Sequence, residues 1–197
     1  MLELEERIKG LMSDYRFRHT LSVAEECKRL ASLFGIDEKE LVIAAYLHDI
    51  TKELTTDEQL ELCDKMGIGI DKDTLNSPKT LHSFTAPALI MQDFAEYATP
   101  AVLSAVRYHT TGRADMTLCE KLLYLADYIE PTRQFEDCKK LREYFYSSGD
   151  DLMTRLDKTL FLSLKYTVND LVEKGAYVHP ETIRAYNALA LSGDFNE

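Results

Sequence analysis

The chain has 197 residues, a hydrophobic fraction of 45%, a charged fraction of 29% and a formal net charge of -11. That length suits one well-buried domain and falls short of two ordinary ones, and the composition is that of a soluble globular protein. The acidic balance excludes a general nucleic-acid binder, which needs a basic footprint to displace counterions, but it allows an anionic small molecule held by metal ions.

Met1 to Glu6 is acidic and amphipathic and lacks the basic-then-apolar order of a signal peptide. No run approaches the roughly 18 apolar residues of a membrane span. Both features predict a cytoplasmic protein with no membrane partner. Helical periodicity then runs through almost the whole chain. Phe17, Leu21, Ala24, Ala31 and Phe34 mark one face of a long helix that Gly35 ends. Asp37 and Glu40 have the spacing of a capping box, and Ile36 is placed to staple onto Leu41. Thr56 and Gln59 suggest a second box, ahead of a helix closed by Gly67. Gly67 to Pro78 reads as a loop with a helical turn, and Pro87 as a helix start or kink. Thr99-Pro100 opens a helix carrying Leu103 and Val106. Thr117 and Glu120 cap the next, whose face runs Leu118, Leu122, Leu125 and Ile129 before Pro131 stops it. Asp150 opens a helix from Leu152 to Leu171, ended by Gly175, and a short helix follows Pro180.

No repeat, low-complexity tract or linker interrupts this pattern. The expectation is one all-α domain over residues 1–197, with its motif-bearing region at about 16–133 and C-terminal helices over 150–192 packed on it. The four cysteines form no C-x-x-C pair and read as reduced thiols, three of them beside apolar neighbours.

His48-Asp49 stands where the apolar run Leu41 to Leu47 gives way to a polar turn. A carboxylate and an imidazole are costly to bury there unless something compensates them. A metal ion does so, neutralising one and taking the lone pair of the other. His19 lies near the buried stripe of the first long helix, His82 follows Thr80-Leu81, His109 ends a helix, and Asp127 sits on a strongly apolar one. Any one of these alone reads as a hydrogen-bonded core residue. Four inward histidines and two inward aspartates on separate helices point instead to a metal-dependent hydrolase. Lys52, one turn past His48, together with Arg16 and Arg133, can reach phosphate. Glu130 is placed to orient an arginine or a histidine. Thr110, Thr111 and Gly112 offer donors on a tight loop. His179, before Pro180, reads as a helix cap or surface residue.

His19, His48-Asp49 and Asp127 follow the H…HD…D order of the HD phosphohydrolase superfamily. Arg16-x-x-His19-Thr20, His48-Asp49-Ile50-Thr51-Lys52, Leu81-His82, His109-Thr110-Thr111-Gly112 and Ala126-Asp127-Tyr128-Ile129-Glu130-Pro131-x-Arg133 sharpen the match. With these segments the chain resembles, from about Arg16 to the C-terminal region, the bacterial YqeK family, HD-type symmetrical dinucleoside tetraphosphatases. Ser83 stands where the family usually has glycine, and Tyr186 where it usually has arginine.

The resemblance implies a helical bundle with a dinuclear metal site in its core. His19, His48, Asp49 and Asp127 would hold one ion, and a bridging Asp49 with His82 and His109 the other. It favours iron. Four protein ligands would saturate tetrahedral zinc, whereas a six-coordinate ion with mixed nitrogen and oxygen donors keeps open positions, as iron or manganese does. The implied reaction is hydrolysis of diadenosine tetraphosphate into two ADP, with Asp49 and Lys52 catalytic. Arg16, Lys52, His82, Thr110, Gly112, Arg133 and Tyr177 would contact the substrate. ADP or GDP would be the product, and a homodimer is compatible with the chain. The metal core by itself also fits a nucleotidase, a deoxynucleotide triphosphohydrolase, a cyclic-nucleotide phosphodiesterase or a non-catalytic nucleotide-binding regulator.

Overall fold

Capping chemistry divides the chain into helices, and the computed structural model describes them over residues 2–192. In chain order they are α1 (Leu2–Lys9), α2 (Asp14–Phe34), α3 (Lys39–Leu47), α4 (Thr56–Lys65), α5 (Lys72–Leu75), α6 (His82–Asp93), α7 (Pro100–Tyr108), α8 (Leu118–Ile129), α9 (Glu136–Ser147), α10 (Leu152–Glu173) and α11 (Pro180–Ser192). Short 3-10 turns at Pro78–Thr80 and Ala95–Tyr97 precede and follow α6, and no strand occurs among the described residues.

Every residue of α3 from Leu41 to Leu47 is buried. A helix apolar all round must be surrounded, and α3 packs against α1, α2, α7 and α8. On one side of this centre α6 lies on α7 and α4 on α6; on the other α9 and α10 lie on α8, and α11 on α10. One cluster of buried apolar side chains runs from Leu4 to Leu189.

Several local signals act as the sequence predicts. Thr99 caps α7 ahead of Pro100. Thr117 and Glu120 form a complete capping box on α8. Gly35 adopts φ 63° and ends α2. Other boundaries differ. The box on α4 is Thr55 with Glu58, one residue earlier than predicted. Gln59 is drawn away, donating to the Thr51 carbonyl at 2.7 Å and accepting from the Thr85 hydroxyl at 2.5 Å. Before α3 no capping box forms: Asp37 accepts from the Lys39 N–H at 3.0 Å, and the cap residue Glu38 makes no side-chain bond. Asp151 caps α10 instead of Asp150, which accepts from Tyr144 and Ser148.

Pro87 lies inside α6, which starts five residues before it. The helix after Pro180 has 13 residues, and α9, around the helical position of Cys138, runs for 12. On α2 the buried stripe is His19, Val23, Cys27 and Leu30 with Thr20, Ala24, Glu26 and Ala31, so Phe17, Leu21 and Phe34 only flank it. Ser83 donates to the Thr80 carbonyl at 2.7 Å, and Tyr186 stacks on Phe161 at 5.1 Å.

Candidate metal centre

Helices α3 and α7 end side by side, and each is followed at once by a histidine, His48 and His109. The last carbonyls of a helix lack intrahelical partners. The Nδ1–H of His48 meets the Ala45 carbonyl at 2.6 Å, and that of His109 meets the Val106 carbonyl at 2.6 Å. One geometry at two helix ends thus fixes two imidazoles with Nε2 turned inward. His19, in the second turn of α2, is held at Nδ1 by Glu130, 3.0 Å away. Glu130 is fully buried and is itself bonded by the Thr132 hydroxyl and N–H, each at 2.6 Å. A carboxylate behind a histidine is the usual way to set a ligand's tautomer and basicity.

Asp49 lies at the centre. Its Oδ2 is 3.4 Å from His48 Nε2 and 3.8 Å from His19 Nε2, while its Oδ1 is 3.4 Å from His82 Nε2 and 3.5 Å from His109 Nε2. Asp127 Oδ1, on α8, completes the first group at 3.0 Å from His19 Nε2. His19 Nε2, His48 Nε2 and Asp49 Oδ1 are buried with no hydrogen-bond partner. Orphaned polar atoms of this kind are rare in folded proteins and call for a cause. Donors bound at about 2.1 Å to one ion stand about 3.0 Å apart in an octahedral and about 3.4 Å apart in a tetrahedral arrangement, so the spacings here are near those of a divalent-cation site. Two subsets close enough to share an ion are His19, His48 and Asp127, and His48, Asp49 and His109.

Opposite charges face one another throughout the cluster. Burial works against ionisation of Asp49, yet the neighbouring His48 and His109 imidazoles and Lys52 hold its carboxyl well below the usual range. Asp127 is likewise held low against burial, by Arg133, His19 and His48. Burial pulls the His19 imidazolium down, but the Asp127 and Glu130 carboxylates outweigh it and raise its pKa to about 9. Positive side chains crowd the same carboxylates: Arg16 Nη1 stands 2.6 Å from Asp49 Oδ2 and Arg133 Nη2 2.8 Å from Asp127 Oδ1. Lys52 Nζ lies 3.0 Å from His82 Nε2, and burial lowers its pKa.

The structure therefore brings together His19, His48, Asp49, His82, His109 and Asp127, with Arg16, Lys52, Arg133 and Thr110 at the edge. The Thr110 hydroxyl is 3.0 Å from both His82 Nε2 and His109 Nε2. Gly112 and Tyr177, expected beside the substrate, make their contacts outside this set. Gly112 adopts φ 63° and spends its N–H on the Tyr108 carbonyl. A Cβ there would meet Ala185 at 3.0 Å, so the glycine serves a turn and a close approach to α11. Tyr177 is exposed and donates to Asp73, and none of its contacts leads to the cluster. His179 accepts from the Glu181 N–H and lies 3.3 Å from the Thr74 hydroxyl, as a helix-start residue.

Sequence reasoning missed what surrounds this centre. Arg142 of α9 donates to the carbonyls of Ile129, Glu130 and Arg133, clasping the end of the helix that carries Asp127. The Thr51, Gln59 and Thr85 triad ties the His48-Asp49 turn to the helix that begins at His82. A cleft of about 290 Å³ opens beside Asp127 and His109 and is walled by Tyr128 and Phe135; another of about 540 Å³ opens beside His82.

The sequence and the fold match known proteins. The HD-domain family matches residues 16–132. The solved structure of an HD superfamily hydrolase from Clostridium acetobutylicum, described as involved in NAD metabolism, superposes with a TM-score of 0.86 at 29% identity, covering 97% of each chain. The chain is 33% identical over 185 residues to the symmetrical bis(5'-nucleosyl)-tetraphosphatase of Halalkalibacterium halodurans, covering 93% of this chain and 94% of that one. It is 34% identical over 187 residues to the protein of the same name from Bacillus subtilis, covering 92% and 93%. The chain belongs to the HD-domain family and, within it, to the family of symmetrical bis(5'-nucleosyl)-tetraphosphatases.

Proposed function

We propose that the chain is a metal-dependent hydrolase that splits diadenosine tetraphosphate symmetrically into two ADP. We propose further that it holds two divalent ions, one through His19, His48, Asp49 and Asp127, the other through Asp49, His82 and His109. The observation that carries this reading is the Asp49 carboxylate, whose two oxygens face two separate pairs of histidine nitrogens, with three buried donor atoms left unpaired. The relatives named above, which this chain matches along nearly all of its length, support the substrate.

Bound between these donors, a pair of divalent cations supplies water activation near neutral pH and neutralises phosphoryl oxygens. Asp49 fixes the spacing of the two halves of the site. Lys52, exposed to both clefts, places Nζ where it can donate to a phosphate oxygen and give a proton to the oxygen of the departing ADP. Arg16 and Arg133 lie on the carboxylates and are free to fork onto phosphate once those carboxylates hold cations. Thr110 offers a hydroxyl at the cluster's edge. Four imidazoles and two carboxylates suit a six-coordinate ion, and iron is our assignment, ahead of manganese and zinc. The setting we propose is the cytoplasm: the cysteines are unpaired, and no described helix is long and apolar enough to cross a membrane.

The test is product analysis of diadenosine tetraphosphate hydrolysed in oxygen-18 water. The reading requires ADP as the sole nucleotide product, with one labelled oxygen per pair of ADP. ATP plus AMP, or phosphate release from mononucleotides without dinucleotide turnover, would contradict it.

A further inference from the structure

We infer, resting on the reading just given, that the enzyme reads only one nucleoside of its substrate, in the cleft walled by Tyr128 and Phe135. The other half is held by its phosphates alone, in the cleft between Lys52 and Lys79.

A cut in the middle of a four-phosphate chain sets the two inner phosphorus atoms at the cluster, so the two nucleosides must leave it by different routes. Two clefts touch the cluster, one at Asp127 and His109 and the other at His82, and Lys52 lines both. Their walls differ in kind. The first carries Tyr128 and Phe135, and Phe135 also lines a neighbouring cleft of about 320 Å³ across from Arg133. Phe135 is 67% exposed, a large apolar side chain at the mouth of a polar site. Such a face is what a nucleobase stacks on. Beside it Asp137 takes the Tyr128 hydroxyl on Oδ2 alone, leaving Oδ1 for a ribose hydroxyl or an exocyclic amine.

The second cleft has no phenylalanine or tyrosine in its wall. Leu54, Thr55, Thr56, Gln59, Pro78 and His82 line it with Lys52 and Lys79. It offers cations for phosphate and small aliphatic faces, Leu54 and Pro78, in place of an exposed phenyl or phenol ring.

The second nucleoside is then dispensable. With adenosine 5'-tetraphosphate, a water oxygen bonds to the second phosphorus from the ribose. The bond from that phosphorus to the next bridging oxygen breaks, and the bridging oxygen leaves with pyrophosphate, taking one proton. The products are ADP and pyrophosphate.

The experiment measures kcat/KM of the metal-loaded enzyme on diadenosine tetraphosphate and on adenosine 5'-tetraphosphate, with products separated by chromatography. It is repeated for Phe135→Ala and Lys79→Ala, both exposed positions. The two substrates should agree within about threefold, a factor of two arising because either adenosine of the dinucleotide can dock. Phe135→Ala should raise KM for both alike, by roughly 5- to 150-fold, the range that a lost base stack implies. Lys79→Ala should raise both by a smaller factor. A preference for the dinucleotide beyond about tenfold, as a second stacked base would give, overturns the inference. So does an unchanged KM in Phe135→Ala. Absence of turnover on diadenosine tetraphosphate would sink the proposed activity instead. Calorimetric titration with ADP would still judge the cleft: weaker binding in Phe135→Ala supports it, equal binding overturns it.

Discussion

Two buried carboxylates, Glu120 and Asp49, face opposite fates. Glu120 is fully buried on α8, and the protein supplies all its partners. Arg113 bonds both oxygens, at 2.9 and 3.0 Å, the Thr117 N–H bonds one at 2.9 Å, and the Ser104 hydroxyl bonds the other. Asp49 is 3% exposed, yet its Oδ1 has no donor, and the histidine nitrogens ranged around it include two more unpaired atoms. Leaving a buried polar atom unmade costs about 1–3 kcal/mol, more for charged groups. A fold that satisfies Glu120 four times over could have satisfied Asp49. What separates Asp49 from Glu120 is therefore the partner missing at Oδ1, and in the function proposed above that partner is a cation.

The comparison breaks first at the two residues themselves. Asp49→Ala should abolish hydrolysis while leaving the helical circular dichroism intact; retained activity would remove Asp49 from the site. Glu120→Ala should do the reverse, lowering stability by about 2–3 kcal/mol in urea melts, with the folded fraction fully active. That figure sits low for a broken buried pair, because Arg113 is 35% exposed and turns to water.

Smaller effects sharpen the boundary between centre and edge. Lys52→Ala should lower the rate roughly 10- to 150-fold without loss of metal, since the proposed role of its ammonium is to contact phosphate rather than ions. Glu130→Gln leaves His19 without its carboxylate and should weaken metal affinity or rate about 10- to 100-fold, seen as metal lost on dialysis. The smallest effect is on pH dependence. Burial raises the Glu26 carboxyl above 4.5, against the Tyr146 hydroxyl and Arg29. The folded state then keeps its proton to higher pH than the unfolded chain, so this group's contribution is greatest below about 4.5 and declines as pH rises through the raised value. The stability of Glu26→Gln relative to the parent chain should rise over that window in thermal melts, and a flat difference would contradict the shift.

The fold was legible where the deciding chemistry is local. Thr117 with Glu120, Thr99 with Pro100, and Gly35 each need only their own helix. Boundaries slipped by one where two equivalent caps adjoin, as at Thr55-Thr56 and Asp150-Asp151, because a tertiary partner makes the choice: Gln59 serves Thr51 and Thr85 instead of a helix end. The bounds of helix α9 were hidden by its charges, although Cys138, Leu141 and Phe145 keep a helical spacing. In the candidate site the histidines and aspartates stood out as polar groups beside apolar runs. The carbonyls behind His48 and His109 and the Arg142 clasp could not be read, since contacts across the fold decide which groups lack partners. Tyr128 stood in a motif, but Phe135 showed its place only once α9 had folded against α8.

The central claim, that the unpaired atoms around Asp49 are the two halves of one cation site, is tested most directly by elemental analysis. Tag-free protein would be purified gently and counted for iron, manganese and zinc, beside Asp49→Ala and His82→Ala prepared alike. The account requires about two ions per chain in the parent protein, about one after His82→Ala and none after Asp49→Ala. A metal content at background in the parent chain, or an Asp49→Ala protein that keeps both ions, would contradict it.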